Sequence, residues 1–192
     1  DHRRVEKILT ALADKAGLKT PRLKVLKRED YCGFTFGLRQ PCVALSQRLV
    51  EELTDEELEG IIAHELAHVA HGDVLQGWLA LILRDFSFYF PLTHGVVGQL
   101  RDNQELRADD WAVKLTGRPW EYGAVLLKVW RLHQGQALGF TFLGAISQGR
   151  VSRRVERILQ GEFEASQGAP LWLLSAIAAL VTTALAYLCC SL

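Results

Sequence analysis

One segment constrains this chain more than any other: Thr54 to Gly72, "TDEELEGIIAHELAHVAHG". Thr54 offers a hydroxyl to the N–H of Glu57, and Glu57 can reach back to the N–H of Thr54, the reciprocal pair of a capping box. Leu58, Ile61, Ile62, Leu66 and Val69 then recur at 3.6-residue spacing, and Gly72 provides the left-handed residue that ends a helix. The spacing predicts a helix over about 55–71. Its apolar side has to be buried, so the rest of the chain must pack around it.

This helix carries His64, Glu65 and His68, the pattern H-E-x-x-H. Residues four apart share a helix face, so both imidazoles can reach one ion at the roughly 2.0–2.1 Å that zinc requires. Glu65 is rotated by about 100° from His64, off the metal but close enough to take a proton from a water activated there. The expected roles are His64 and His68 as ligands and Glu65 as general base.

Two histidines leave a zinc site incomplete, since catalytic zinc takes three protein ligands and keeps a position open. A third ligand on the same helix at position 74 is excluded, because that residue is Val74. His71 is two turns, about 10.5 Å, beyond His64 and reads as a supporting or helix-end residue. A better candidate is "NQELRADDWA", where Glu105 and Asp109 share one face of a helix predicted over about 103–116. Glu105 is expected on the metal and Asp109 behind it, accepting a hydrogen bond from a ligand histidine. Asp73 and Arg107 are further supporting candidates. His94, Arg101, Tyr122 and His133 remain open as donors to an oxyanion. One zinc per chain is implied.

Elsewhere, Val5, Ile8, Leu9 and Leu12 mark an amphipathic helix closed by Gly17. "LKVL", "CGFTFG" and "CVALS" read as strands of a small sheet over about 23–46, too small to stand without helices on it. Helices are also expected over 120–133 and 152–159. Lys+Arg and Asp+Glu both number 22, so no net field points to nucleic acid, and no nucleic-acid motif is present. Cys32, Cys42, Cys189 and Cys190 form neither a C-x-x-C pair nor a secreted disulfide framework, which suits a reducing compartment. The chain opens on Asp1 and has no methionine, as a fragment of a longer protein would.

From Leu171 to Cys190 the chain runs 20 residues without a charge. As a helix this would span roughly 30 Å, the thickness of a bilayer's hydrocarbon core. Pro170 suits its start, Trp172 and Tyr187 sit near its ends, and Arg150, Arg153, Arg154 and Arg157 lie just upstream. A transmembrane helix is expected over 171–190, with the preceding domain facing the cytoplasm. Residues 74–95 are also apolar, but Arg84, Asp85 and Pro91 interrupt them. Two readings stay open for this stretch: a membrane-interface helix or a buried one.

The run "PCVALSQRLVEELTDEELEGIIAHELAHVAHGD", followed by "FSFYFPLTHG" and "DNQELRADDWAVKLTG", resembles the membrane metallopeptidases of the BlaR/MecR type, the beta-lactam sensor-transducers and their relatives. The resemblance covers most of 25–159. It implies an α+β, mainly helical, zincin-like peptidase domain over about 1–165, followed by the transmembrane helix. It implies a gluzincin-like site of His64, His68 and Glu105 with Glu65 catalytic and Asp109 supporting. It also implies a multi-pass protein of a bacterial inner membrane, with a protein or peptide substrate and membrane lipid as partners. Membrane proteases of the heat-shock (HtpX) and CAAX-prenyl type share both motifs and are the alternative family. A non-catalytic membrane module, in which zinc merely clamps two helices, is the reading from a different class; it calls for a fourth ligand such as His71, Asp73 or His133.

Overall fold

The computed structural model describes residues 2–86, 91–134 and 141–162. The segment 171–190, expected to cross a membrane, lies outside the described residues. Helix α1 (His2–Lys15) leads to strands β1 (Arg22–Leu26), β2 (Gly33–Phe36) and β3 (Cys42–Ser46). Six helices follow: α2 (Gln47–Glu52), α3 (Asp55–His71), α4 (Asp73–Phe86), α5 (Pro91–Thr116), α6 (Pro119–Gln134) and α7 (Thr141–Gln160). The architecture is mainly helical with one small sheet, as expected.

The strand order is β1-β3-β2. β3 runs parallel to β1 and antiparallel to β2, with Val43 opposite both Leu23 and Thr35. All five β3 residues are buried, which explains why "CVALS" is a continuous run without alternation. Among the described residues β2 has no strand on its other side, and its residues alternate: Gly33 and Thr35 turn inward while Phe34 and Phe36 are exposed. Ser46 ends β3 and also caps α2 by accepting the Leu49 N–H, a short helix that the sequence reading did not contain.

The core gathers Val5, Leu9 and Leu12 of α1, Val43 and Leu45 of β3, and Leu49 and Val50 of α2 against α3. From α3 itself Leu58, Ile62 and Leu66 are fully buried, joined by Ala112 of α5, Val125 of α6 and Ile158 of α7. Because α3 is surrounded on most sides, Gly60 to Ala67 are buried without interruption. Arg4 pins α1 to the start of α3 through Asp55 and through the carbonyls of Val50 (3.1 Å) and Leu53 (2.7 Å). Gly60 is a point of close approach: a Cβ there would lie 3.0 Å from Cδ2 of Tyr122.

Two helices are longer than expected. α5 begins at Pro91, not near Asn103, and α7 begins at Thr141, not Ser152. Proline suits the first position of α5 because no hydrogen bond is needed from its nitrogen. The 74–95 stretch is accordingly divided between α4 and α5. On α4, Leu75, Trp78, Leu79 and Ile82 stand at i, i+3, i+4 and i+7 and are each about half exposed, while Ala80 is buried. That is an apolar stripe facing outward, not a core helix. No helix among the described residues is long and apolar enough to cross a membrane.

Candidate metal centre

α3 is held at both ends where the sequence indicates. Thr54 Oγ1 accepts the Glu57 N–H at 3.3 Å and Glu57 Oε2 accepts the Thr54 N–H at 3.0 Å, while Gly72 adopts φ 66°. The reversal at Gly72 starts α4 at once, so Asp73 comes back beside His68. His64 and Glu65 are buried, and His68 is partly so.

His64, His68 and Glu105 converge from α3 and α5. The two Nε2 atoms are 3.3 Å apart; Glu105 Oε2 is 3.5 Å from Nε2 of His64, and Oε1 is 3.8 Å from Nε2 of His68. Four tetrahedral bonds of roughly 2.0–2.1 Å put neighbouring donor atoms about 3.4 Å apart, so this set fits zinc with small adjustment. Among the described residues it is the one group of three or more such side chains with this spacing.

The rear nitrogens of both imidazoles are engaged. Tyr122 Oη donates to Asp109 Oδ1 at 2.7 Å and lies 2.9 Å from His64 Nδ1, which is itself 3.2 Å from Asp109 Oδ1. Since the phenol's single hydrogen goes to Asp109, the hydrogen between ring and phenol belongs to Nδ1, and Nε2 is the nitrogen turned toward His68 and Glu105. His68 Nδ1 lies 2.7 Å from Asp73 Oδ2, and Arg107 donates to the other oxygen of Asp73. Each histidine is thereby oriented by its own carboxylate.

Asp109, with no exposed surface, also receives a two-pronged contact from Arg154 of α7: Nε to Oδ2 and one terminal nitrogen to Oδ1, both 2.7 Å. The other terminal nitrogen is 2.9 Å from Glu105 Oε2. Burial opposes ionisation of both acids, yet His64 and Arg154 hold Glu105 down at about 2 and Asp109 lower still. For His64, burial works against the charge, but hydrogen bonds to Asp109 and Glu105 prevail and raise its pKa to about 10.

Glu65 faces β2. Its Oε2 accepts the Thr35 hydroxyl at 2.8 Å, and a Cβ on Gly33 would stand 3.4 Å from its Oε1. Gly33, Phe34, Thr35 and Val74 line, with His64, Glu65, His68, Asp73 and Glu105, a cleft of about 330 Å³. Glu65 and the three candidate metal donors thus share one opening.

Several expectations need revision. Of the two readings of His71, the structure favours the helix-end one: its Nδ1 bonds to the Ala67 carbonyl at 2.8 Å, on its own helix. Tyr122 is no oxyanion donor, because it stands behind His64. Arg101 and His133 are exposed and do not line the cleft, and the side chain of His94 lies outside the described residues. Sequence reasoning missed Thr35 and Arg154; a signal for the second was available, because an aspartate predicted to be buried behind a metal ligand needs a cation.

A small sheet against an H-E-x-x-H helix, with a Glu and an Asp one turn apart on a second helix, defines the metallopeptidase class. This chain belongs to the BlaR1 peptidase M56 family, which it matches over residues 3–158. It is similar to the Protease HtpX homolog of Sulfurovum sp. (strain NBC37-1), with 27% identity over 152 residues, covering 64% of this chain and 55% of the relative. The Protease HtpX homolog of Methanopyrus kandleri is 30% identical over 160 residues, covering 66% and 50%. That of Thermococcus kodakarensis is 42% identical over 76 residues, covering 38% and 26%. The chain spans about half the length of the first two relatives. No solved structure matches it significantly.

Proposed function

We propose that this protein is a membrane-anchored, zinc-dependent endopeptidase that hydrolyses peptide bonds of a protein substrate. The observation that carries the proposal is the cleft in which three zinc donors, His64, His68 and Glu105, face an uncommitted carboxylate, Glu65, held by Thr35. Zinc bound by this set would acidify a water and polarise a carbonyl. Glu65 is placed to act as the general base for such a water and as the proton donor to the leaving amine. The Thr35 hydroxyl keeps the carboxylate turned into the cleft through both transfers. Asp73 and Asp109 keep the imidazoles in the tautomer that serves the metal.

β2 borders the cleft with its outer edge free of any described strand, so an extended peptide can pair there by strand addition. Phe34 and Val74 flank the opening and favour an apolar substrate side chain near the cut. The outward stripe of Leu75, Trp78, Leu79 and Ile82 begins one residue past this lining, and it supports a catalytic domain resting on lipid. Together with the uncharged 171–190 stretch, it supports placement at a membrane; the family resemblance favours a bacterial inner membrane, and the arginines upstream of that stretch favour the cytoplasmic side. Regulatory cleavage, such as removal of a repressor, is the biological role we favour from the family; protein quality control is the alternative from the HtpX relatives.

A zinc clamp without catalysis is less well supported. Of the side chains that would close such a site, His71 is bonded to Ala67, Asp73 to His68 and Arg107, and His133 is exposed. Glu65→Gln tests the proposal: bound zinc should stay near one per chain while cleavage of an unfolded protein disappears. Retained cleavage would remove Glu65 from the role of general base.

A further inference from the structure

Arg154 touches both carboxylates of the α5 pair, and its three guanidinium nitrogens are all used: two on Asp109 and one on Glu105. Its side chain is one-fifth exposed and the Asp109 side chain is not exposed at all. We propose that Arg154 is a positioning residue for the metal centre: it balances the Asp109 charge and turns Glu105 so that a single oxygen faces the metal. The inference rests on the zinc reading above.

Asp109 is fully buried and meets the Arg154 guanidinium through two 2.7 Å contacts, while its Oδ1 also stands 3.2 Å from Nδ1 of His64. Among the contacts described, Arg154 is the permanent positive charge against this carboxylate. A buried carboxylate stripped of that cation would shift toward other donors, and the His64 ring would lose the partner that orients it.

Geometry adds a second role. Arg154 holds Oε2 of Glu105 at 2.9 Å, while Oε1 stands free of it on the His68 side, so the guanidinium makes the two oxygens unequal and disfavours ligation through both at once. One-oxygen ligation leaves room for water and substrate on the ion. Lysine cannot do the same, because a point charge lacks the planar fork that spans two carboxylates.

The test uses the purified 192-residue chain in detergent, with zinc affinity measured by competition against a chelator of known affinity. Arg154→Ala is expected to weaken zinc binding by roughly 10- to 100-fold, the usual effect of losing a group that orients a ligand. Arg154→Lys should recover part of that loss. Because an unpaired Asp109 can impair folding, Arg154→Gln is also made in an Asp109→Asn background, where no buried charge is stranded. There it should still cost several-fold relative to Asp109→Asn alone, since the Glu105 contact is removed. Cobalt spectra should move from the low-coordinate toward the higher-coordinate type as Glu105 gains freedom to bind through both oxygens. Zinc affinity within twofold of the parent in both backgrounds would overturn the proposal. Failure of the unsubstituted chain to bind zinc would instead overturn the metal reading beneath it.

Discussion

His64 carries a proton that a metal has to displace. With its pKa raised to about 10, the residue is cationic across the neutral range in the metal-free protein. Zinc uptake should therefore release one proton from His64, and affinity should climb about tenfold per pH unit between roughly pH 6 and 8. Calorimetry in two buffers of different ionisation enthalpy counts the proton; no buffer dependence would contradict the assignment. The same shift has a sign for stability. A raised folded-state pKa stabilises the metal-free fold fully below the unfolded value near 6.5, and that contribution is lost as pH rises toward about 10. Much at this scale is legible in the sequence, because His64, Glu65 and His68 are linked by helix periodicity alone. Glu105 and Asp109 are reachable by asking what the two histidines lack. Thr35 is not, since it meets Glu65 through tertiary packing 30 positions away; of Arg154, the need for a cation behind Asp109 is legible, but not which residue supplies it from 45 positions away.

At the level of elements, α3 behaves as a rod fixed at both ends. The capping box sits far from the cleft, and Glu57 also takes a 2.8 Å contact from Lys128 of α6. Thr54→Ala should cost about 1 kcal/mol, lowering the melting temperature by roughly 2–4 °C for a chain of this size, with zinc affinity unchanged. A parallel fall in affinity would mean that the helix start and the metal centre are mechanically coupled. The α3 boundaries can be read from the sequence because both ends use side-chain or glycine signals. The first three turns of α5 cannot, because His94, Gly95 and Gly98 break the pattern. α2 is too short for periodicity and is recognisable only from its cap, Ser46. The α4 stripe illustrates a different limit: its spacing is amphipathic, yet spacing does not say whether the apolar side turns inward or outward.

Across the whole molecule, the centre is assembled from six elements: β2 supplies Thr35, α3 the histidines and Glu65, α4 Asp73, α5 the two acids, α6 Tyr122 and α7 Arg154. The mainly helical composition and small sheet are readable in advance, whereas the convergence of α6 and α7 behind the site is a property of packing. Gly60 shows how far that packing reaches. It bears no polar atom and touches no ligand, but its missing side chain lets α6 lie close enough for the phenol to meet His64. A methyl group there would act as a spacer. Gly60→Ala should weaken zinc binding several-fold by withdrawing Tyr122, and should do so no further once Tyr122→Phe has already removed the hydroxyl; additive losses would refute the connection. The tightness of the metal site would then be set in part by a distance between two helix backbones, adjustable by a residue that a search for reactive side chains would pass over.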